Sequence, residues 1–328
     1  MQTQSGKGPL EPVLIAIGGN AIYDRQSGDN LSSAHVEAVC QRVAAVCQAG
    51  YQPLITFGNG PQVGNLLDMA ETSARMFSTP VTLDTCVAWT QGEIGYRLAR
   101  ELSRQLLAKG IHTPVIAVNT LVEVDPADIA FQNPSKPVGR FISAEEAQRL
   151  YEERGWVIGP DANRGYRRRV PSPRPLATPE GEAIRALVAQ GCIVLCGGGG
   201  GIPVKRNAQG ELEGIEAVID KDFTSCMLAK QLKIPNLVIC TEVEHVCLHF
   251  GTPEEKPLRQ LSLTEARRYL DEGHFAAGSM GPKVAALIDY VQQGGKRAII
   301  TSLDQLAHAL AGEAGTEILS TGAMPVIQ

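Results

Sequence analysis

The chain has 328 residues, of which 44% are hydrophobic and 20% charged, as is usual for a globular protein. Its length allows either one large α/β domain or two closely joined lobes. The net charge of −5 provides no overall positive field for nucleic acid or an anionic membrane, so an anionic ligand would need a local site. No stretch reaches the roughly 20 apolar residues of a membrane span, and the N-terminus lacks the apolar run of a signal peptide. We therefore expect a cytoplasmic protein.

Short apolar runs alternate along the chain with longer helical patterns. Each run is too short for a buried helix, and its nearly continuous apolarity is typical of a parallel strand covered on both faces. The runs are VLIAI (13–17), PLITF (53–57), PVIAV (114–118), CIVLC (192–196), NLVIC (236–240) and RAIIT (297–301). Their alternation with helices predicts a three-layer α/β/α sandwich around a mostly parallel sheet.

Residues 123–176 interrupt this alternation with a segment rich in Pro, Gly and Arg. A segment of this length with one helical pattern inside it indicates an insertion that projects from the sheet, and such insertions often contact ligands. We expect this lobe to belong to an N-terminal half, residues 1–214, that is followed by a C-terminal half, residues 215–328.

Glycine-rich turns lie next to several of these elements. Gly18-Gly19-Asn20 follows the first run, Gly58-Asn59-Gly60 the second, and a run of five glycines, 197–201, the fourth; Gly278-Ser279-Met280-Gly281 opens a late helix. At the carboxyl ends of parallel strands, glycine lets backbone N–H groups approach an anion. Neither G-x-x-x-x-G-K-[ST] nor G-x-G-x-x-G occurs, so a phosphate site of a different kind is predicted.

Three lysines differ from ordinary surface charges, two because glycine or proline lies next to them and one because it lies between two aspartates. Lys221 stands between two aspartates in VIDKD, Lys283 lies two residues beyond Gly281, and Lys136 lies in NPSKP. Phosphoryl transfer needs positive charge around the moving group and little covalent chemistry. These lysines are therefore candidate catalytic residues, with Asp222 as the carboxylate that could hold their ammonium groups.

The cysteines, two histidines and a group of arginines give less specific indications of function. The eight cysteines include no C-x-x-C pair and are expected to be buried free thiols. His245 and His249 lack the surrounding ligands of a zinc site, so no metal site is predicted in the protein itself. Five arginines in the projecting lobe indicate either a salt-bridged surface or anion capture by one or two of them; they are Arg164, Arg167, Arg168, Arg169 and Arg174.

Taken together, these motifs resemble carbamate kinases of the amino acid kinase superfamily. The resemblance runs in family order from residue 13 almost to the C-terminus. It is carried by AIGGNAI (16–22), TFGNGPQVG (56–64), NPSKPVG (133–139), WVIGPDANRGYRRRVPSPRP (156–175), CGGGGGIPV (196–204), EAVIDKD (216–222), HFGTP (249–253) and FAAGSMGPKV (275–284). It implies an eight-stranded, mostly parallel sheet, a homodimer, and transfer between ATP with Mg²⁺ and carbamate, with carbamoyl phosphate and ADP as the other pair.

The resemblance also implies roles for individual residues. Lys221 and Lys283 would flank the transferred phosphoryl group, Asp222 would orient them, and Lys136 would reach it from the projecting lobe. The carbamoyl phosphate would be cradled by the first two turns, namely Gly18, Gly19, Asn20, Gly58, Asn59 and Gly60. The nucleotide would lie in the C-terminal half, against Gly198, Gly199, Lys221, Thr241, Cys247, Gly278, Met280 and Lys283.

Two positions bear on the substrate. Acetylglutamate and uridylate kinases carry a lysine two positions before the first glycine pair, where this chain has Ala16; Lys221 would supply that charge, as in carbamate kinases. Cys247 stands where the family would place an aromatic near adenine, and loss of such a contact costs on the order of 1 kcal/mol.

Carbamate kinase is therefore the expected function. The alternatives are a weakly catalytic carbamoyl-phosphate-binding regulator and a kinase of another small carboxylate.

Overall fold

The computed structural model describes residues 10–23, 31–72, 81–161, 164–276 and 278–320. The helices described in these ranges are α1 (Ser33–Gln48), α2 (Gly60–Thr72), α3 (Leu83–Ala108), α4 (Ala144–Arg154), α5 (Gly181–Ala189), α6 (Lys221–Gln231), α7 (Leu263–Asp271), α8 (Met280–Gln292) and α9 (Leu306–Leu310). The strands are β1 (Glu11–Ile17), β2 (Tyr51–Phe57), β3 (Val115–Ala117), β4 (Leu121–Val124), β5 (Lys136–Ile142), β6 (Ile158–Pro160), β7 (Tyr166–Val170), β8 (Pro175–Ala177), β9 (Ile193–Leu195), β10 (Ile202–Arg206), β11 (Leu212–Gly214), β12 (Asn236–Thr241), β13 (Val246–Leu248), β14 (Lys256–Leu258), β15 (Gln260–Ser262), β16 (Arg297–Ser302) and β17 (Thr316–Leu319).

A central sheet of eight strands crosses the molecule in the order β15-β17-β16-β12-β1-β2-β9-β3. All neighbouring pairs are parallel except β16 and β17. The six apolar runs found in the sequence are the six consecutive parallel strands from β16 to β3. The predicted α/β fold with a mostly parallel sheet is therefore confirmed. Of the eight strands in this sheet, the sequence patterns missed only β15 and β17, the two short strands at one edge.

Helices cover both faces of this sheet, because alternate residues of each strand point to opposite sides. On one face, Leu14 and Ala16 of β1 pack in a core with residues of α5, α6, α7 and α8. On the other face, Val13, Ile15 and Ile17 pack with residues of α1, α3 and α9. The result is the expected three-layer arrangement, in which parallel strands all end at one edge of the sheet.

The segment between β4 and β8 forms a lobe of its own. It contains the antiparallel sheet β5-β7-β6 and α4, and their small core is built on Ile142, Ala147 and Leu150. The strands β4 and β8 at its two ends pair with each other in a second sheet, β11-β10-β4-β8. We call residues 125–174 the projecting lobe.

The five arginines of this lobe contact protein groups. Arg167 donates to Asp161 and Arg168 to Glu216, while Arg169 donates to backbone carbonyls. Arg164 lies over the ring of Phe141, and Arg174 pairs with Asp289 and lies over Phe223. These contacts favour the salt-bridged lobe surface over anion capture.

Two further sequence expectations concern the cysteines and membrane-spanning segments. All eight cysteines are free thiols, seven of them buried and Cys247 half-buried. Among the described residues, no helix is both long and apolar enough to cross a membrane.

Candidate active site

The glycine turns meet at the carboxyl edge of the central sheet. The strands β12, β1, β2 and β9 are adjacent and parallel, so the segments that follow them emerge side by side. β12 ends at Thr241. The first two glycine turns follow β1 and β2, and the glycines at 197–201 follow β9.

The close approach of the first two turns requires glycine. A Cβ on Gly58 would lie 2.5 Å from the backbone nitrogen of Gly19, a distance that real Cβ atoms do not tolerate. A Cβ on Gly199 would lie 2.2 Å from the side-chain amide of Asn59. The three turns after β1, β2 and β9 therefore form one continuous, tightly packed floor.

Two buried polar side chains brace this floor from α3. Thr90 accepts a hydrogen bond from Asn59 Nδ2 at 2.7 Å, and the amide of Gln91 bonds to both Thr120 and the carbonyl of Gly198. Sequence patterns did not single out these α3 residues, since a helical stripe containing Thr and Gln carries no recognisable motif.

A buried carboxylate joins two helix N-termini above the floor. Asp222 lies in the first turn of α6, and its side chain is only 6% exposed. One oxygen accepts from Lys221 Nζ at 2.6 Å, and the other accepts from Lys283 Nζ of α8 at 2.8 Å. Asp222 thus holds the ammonium group of its neighbour Lys221 together with that of Lys283, which lies 61 residues beyond Asp222 in the sequence.

The Asp222 carboxylate and the two ammonium groups stabilise one another in a place that water reaches poorly. The side chains of Lys221 and Lys283 are 12% and 17% exposed, so each ammonium depends on Asp222 for compensation. Burial alone raises the pKa of the Asp222 carboxyl, but the two ammonium groups outweigh it and hold that pKa well below its usual range. The carboxylate therefore stays ionised at neutral pH, with one positive charge in excess over the trio.

Lys136 reaches the same place from the projecting lobe. Its Nζ lies 2.7 Å from Oδ2 of Asp220, the residue that caps the N-terminus of α6. In the sequence, Asp220 stands out only as a neighbour of Lys221. The pairing with Lys136, 84 residues away, could not be inferred from local patterns.

The predicted nucleotide residues are more scattered. Gly278 and Met280 lie where α8 begins, close to Lys283 in sequence. Beyond Thr241, Glu242 accepts from Asn20 Nδ2 at 3.0 Å and links this strand end to the first glycine turn. Cys247 lies on β13, in the hairpin formed with β14; its thiol contacts the carbonyl of His245, and Glu255 of the same hairpin faces it. The contacts found for Cys247 therefore lie within the hairpin.

Comparison with known proteins places this chain in a family. The amino acid kinase family model matches residues 11–302. A carbamate kinase from Pyrococcus furiosus is 42% identical over 310 residues, which cover 94% of this chain and 98% of that protein. Carbamate kinase 2 from Enterococcus faecalis is 44% identical over 310 residues, covering 94% of this chain and 99% of that protein.

The chain belongs to the carbamate kinases of the amino acid kinase family. The resemblance drawn from its motifs is thereby confirmed. A solved carbamate kinase from Giardia lamblia bound to AMP-PNP is 38% identical, with a TM-score of 0.86 over 95% of this chain and 99% of that one. Members of this family are phosphotransferases that use ATP with a divalent metal.

We predict that Asp222→Asn destabilises the protein by about 3–5 kcal/mol at neutral pH, because it leaves two poorly solvated ammonium groups side by side. The native pKa of Asp222 lies below its unfolded value of 3.8, so its contribution is complete well above that pH and is lost as the pH falls toward the native pKa. Urea unfolding should show the largest difference from wild type at pH 7 and a shrinking one below pH about 4.

Asp304→Asn is the control, because Asp304 pairs with Arg42 on the surface and its side chain is 77% exposed. It should change the free energy of unfolding by about 0.5 kcal/mol or less. Equal effects of the two substitutions at pH 7, or a difference for Asp222→Asn that does not vary with pH, would contradict this account of the trio.

Proposed function

We propose that the protein is a carbamate kinase that transfers a phosphoryl group reversibly between ATP and carbamate, with ADP and carbamoyl phosphate as the other pair. The observation that carries this proposal is the trio of Lys221, Asp222 and Lys283 at the carboxyl edge of the sheet. Two ammonium groups fixed by one buried carboxylate suit a transition state whose negative charge is spread over a moving phosphoryl group.

In this mechanism the transfer is direct and in line. Lys221 and Lys283 neutralise charge on the phosphoryl oxygens, and Lys136 contacts them from the lobe. Asp222 keeps both ammonium groups in place before the ligand arrives, so little reorganisation accompanies the reaction.

The nearby thiol of Cys240 does not suit a covalent carrier. Burial raises its pKa to about 12, although Lys221 and Lys283 act in the opposite direction. The thiol is therefore protonated at neutral pH and is a poor nucleophile. This supports transfer without a phosphorylated enzyme intermediate.

We assign the acceptor to the floor formed by the first two glycine turns in the N-terminal half, residues 1–214. Backbone N–H groups and the amides of Asn20 and Asn59 would orient carbamate or carbamoyl phosphate there. The packing of Gly58 on Gly19 supports this assignment, since it leaves the two turns free of side chains that would block a small anion.

We assign the nucleotide to the C-terminal half, residues 215–328. Lys221, Lys283 and the start of α8 at Gly278 and Met280 would face its phosphates, with Gly198 and Gly199 at the boundary between the halves and Thr241 and Cys247 toward the base. The N-termini of α6 and α8 add partial positive charge for those phosphates.

We propose that the divalent metal is Mg²⁺ and that it enters with the nucleotide. Among the described residues, no group of three His, Cys, Asp or Glu side chains could hold a metal, and both oxygens of Asp222 accept from lysines. These residues fit Mg²⁺ held mainly by phosphate oxygens and water, where it would neutralise phosphate charge.

We also propose a homodimer that forms through the exposed face of α3. Trp89 and Tyr96 lie seven residues apart on this helix and are 43% and 60% exposed. A Cβ on Gly92 between them would meet no atom within 4 Å, so another helix could approach closely there. Exposed aromatic residues around a small residue are typical of a protein interface.

We predict that the wild-type protein forms ATP from carbamoyl phosphate and ADP, and that Lys283→Ala lowers kcat at least about 100-fold, because one of the three lysine charges facing the phosphoryl group is lost. A coupled ATP assay would measure this. Lys296→Ala removes an exposed lysine just beyond the end of α8 and should leave kcat unchanged.

Each outcome of this assay separates the proposal from its alternatives. No ATP formation by the wild type, together with binding of carbamoyl phosphate but not ADP in calorimetry, would favour a regulatory binding protein. Activity only with another carboxylate would favour a related kinase. Unchanged turnover of Lys283→Ala would contradict the assigned role of that lysine.

We predict that Cys247→Tyr lowers KM for ADP about fivefold, since an aromatic contact with adenine is worth about 1 kcal/mol. The value of kcat should stay unchanged, because the contacts of Cys247 lie within the β13–β14 hairpin and do not involve the lysine trio. Cys247→Ala serves as the control and should leave KM near the wild-type value. Steady-state titration of ADP would test this, and identical KM values for all three proteins would contradict the assignment of Cys247 to the base.

We predict that light scattering finds a particle of twice the chain mass of 35.0 kDa and that Tyr96→Glu converts it to a monomer, because charge is disfavoured in an interface core. Tyr151→Glu is the matched control, since Tyr151 is 61% exposed on α4 of the lobe. A monomeric wild type, or a dimer that survives Tyr96→Glu, would contradict the α3 interface.

A further inference from the structure

Asp220 connects the projecting lobe to the helix that begins with Lys221. Each of its carboxylate oxygens has a separate partner. Oδ1 accepts from the backbone nitrogen of Asp222 at 2.9 Å and caps α6, while Oδ2 accepts from Lys136 Nζ at 2.7 Å. The position of Lys136 is thereby tied to the same helical turn that carries Lys221 and Asp222.

The geometry of Lys136 leaves it able to bind a ligand at the same time. An ammonium group has three N–H donors, and Asp220 occupies one of them. The side chain of Lys136 remains 36% exposed, whereas that of Asp220 is 21% exposed. Lys136 can therefore keep its bond to Asp220 and still donate to an anion over the glycine floor.

Lys136 is paired in register with Val170 of β7, which fixes its backbone but not the direction of its side chain. Lys136 is the first residue of β5, and the pairing of β5 with β7 shifts register between Val138 and Ile142. Gly139, within the shift, has a φ of +74°, which only glycine adopts without strain. The strand is regular only as far as Val138, and the ion pair to the helix cap fixes the ammonium group of Lys136.

We propose that Asp220 is a positioning residue for the reaction: it holds Lys136 toward the phosphoryl group and couples the seating of the lobe to the N-terminus of α6. This inference rests on the proposed carbamate kinase function and goes beyond it, because it gives a role to a carboxylate whose observed partners are the backbone of Asp222 and the ammonium group of Lys136. In this arrangement each of the three lysines is held by an aspartate of one short segment, 220–222.

The test uses Asp220→Asn, which retains a good helix cap and nearly the same shape but loses the charge that attracts Lys136. We expect kcat/KM for carbamoyl phosphate to fall about 10- to 100-fold, as is usual when a charged group is misplaced by about 1 Å. Thermal unfolding should change little, because the cap is kept. Asp220→Ser, whose hydroxyl can cap but is too short to reach Lys136, should behave in the same way.

A double-mutant cycle with Lys136→Met distinguishes positioning from a general effect on folding. If Asp220 acts through Lys136, the variant with both substitutions should be no less active than Lys136→Met alone. Glu216→Gln is the matched control: it breaks the lobe's ion pair between Arg168 and Glu216, at 3.0 Å, without touching Lys136, and should leave kcat/KM near wild type. Additive losses in the cycle, or wild-type kinetics of Asp220→Asn, would overturn the proposal.

Amide hydrogen exchange provides a readout that does not depend on turnover. Protection of residues 133–142 should fall in Asp220→Asn and stay unchanged in Glu216→Gln. Unchanged protection in Asp220→Asn would overturn the proposal even in an active enzyme. If the wild type makes no ATP while protection falls as expected, the carbamate kinase function fails and the link between Asp220 and the lobe stands.

Discussion

The candidate active site depends on a single buried carboxylate that lies between two half-buried ammonium groups. Without Asp222, Lys221 and Lys283 would repel each other in a place where water can screen little of that repulsion. Asp222 holds both ammonium groups close together, so the stability of the fold and the preorganisation of the candidate site depend on the same contacts.

The sheet makes this arrangement possible. Lys221 and Asp222 begin α6, Lys283 lies in the first turn of α8, and both helices cover one face of the central sheet. Since the parallel strands end at one edge, residues from distant parts of the sequence converge there without a contiguous binding motif. This explains why neither of the familiar phosphate-binding signatures occurs. The glycines supply a close-packed floor, and the charges come from helix N-termini and from the lobe.

Local patterns in the sequence were sufficient for part of this structure. Six apolar runs gave the six consecutive parallel strands, and the flanking residues of Lys221, Lys283 and Lys136 marked them as unusual. The edge strands β15 and β17 were missed because they are short and partly polar. The residues Ser-Ala-Glu-Glu at 143–146 have the sequence pattern of a reciprocal helix cap between Ser143 and Glu146. Ser143 does cap α4, but the Glu146 carboxylate pairs with Arg140, a contact set by the fold of the lobe.

The pairing of Asp220 with Lys136 shows why such contacts escape sequence reasoning. Aspartate before a helix is well explained as a cap, and that explanation is correct for one of its oxygens. The second oxygen has a partner that only the folded lobe brings near. Aspartates at positions 220 and 222 also favour the positive N-terminus of α6, so the same two residues serve helix stability and lysine placement. A segment that satisfies both requirements is strongly constrained, and only the tertiary structure reveals the second of them.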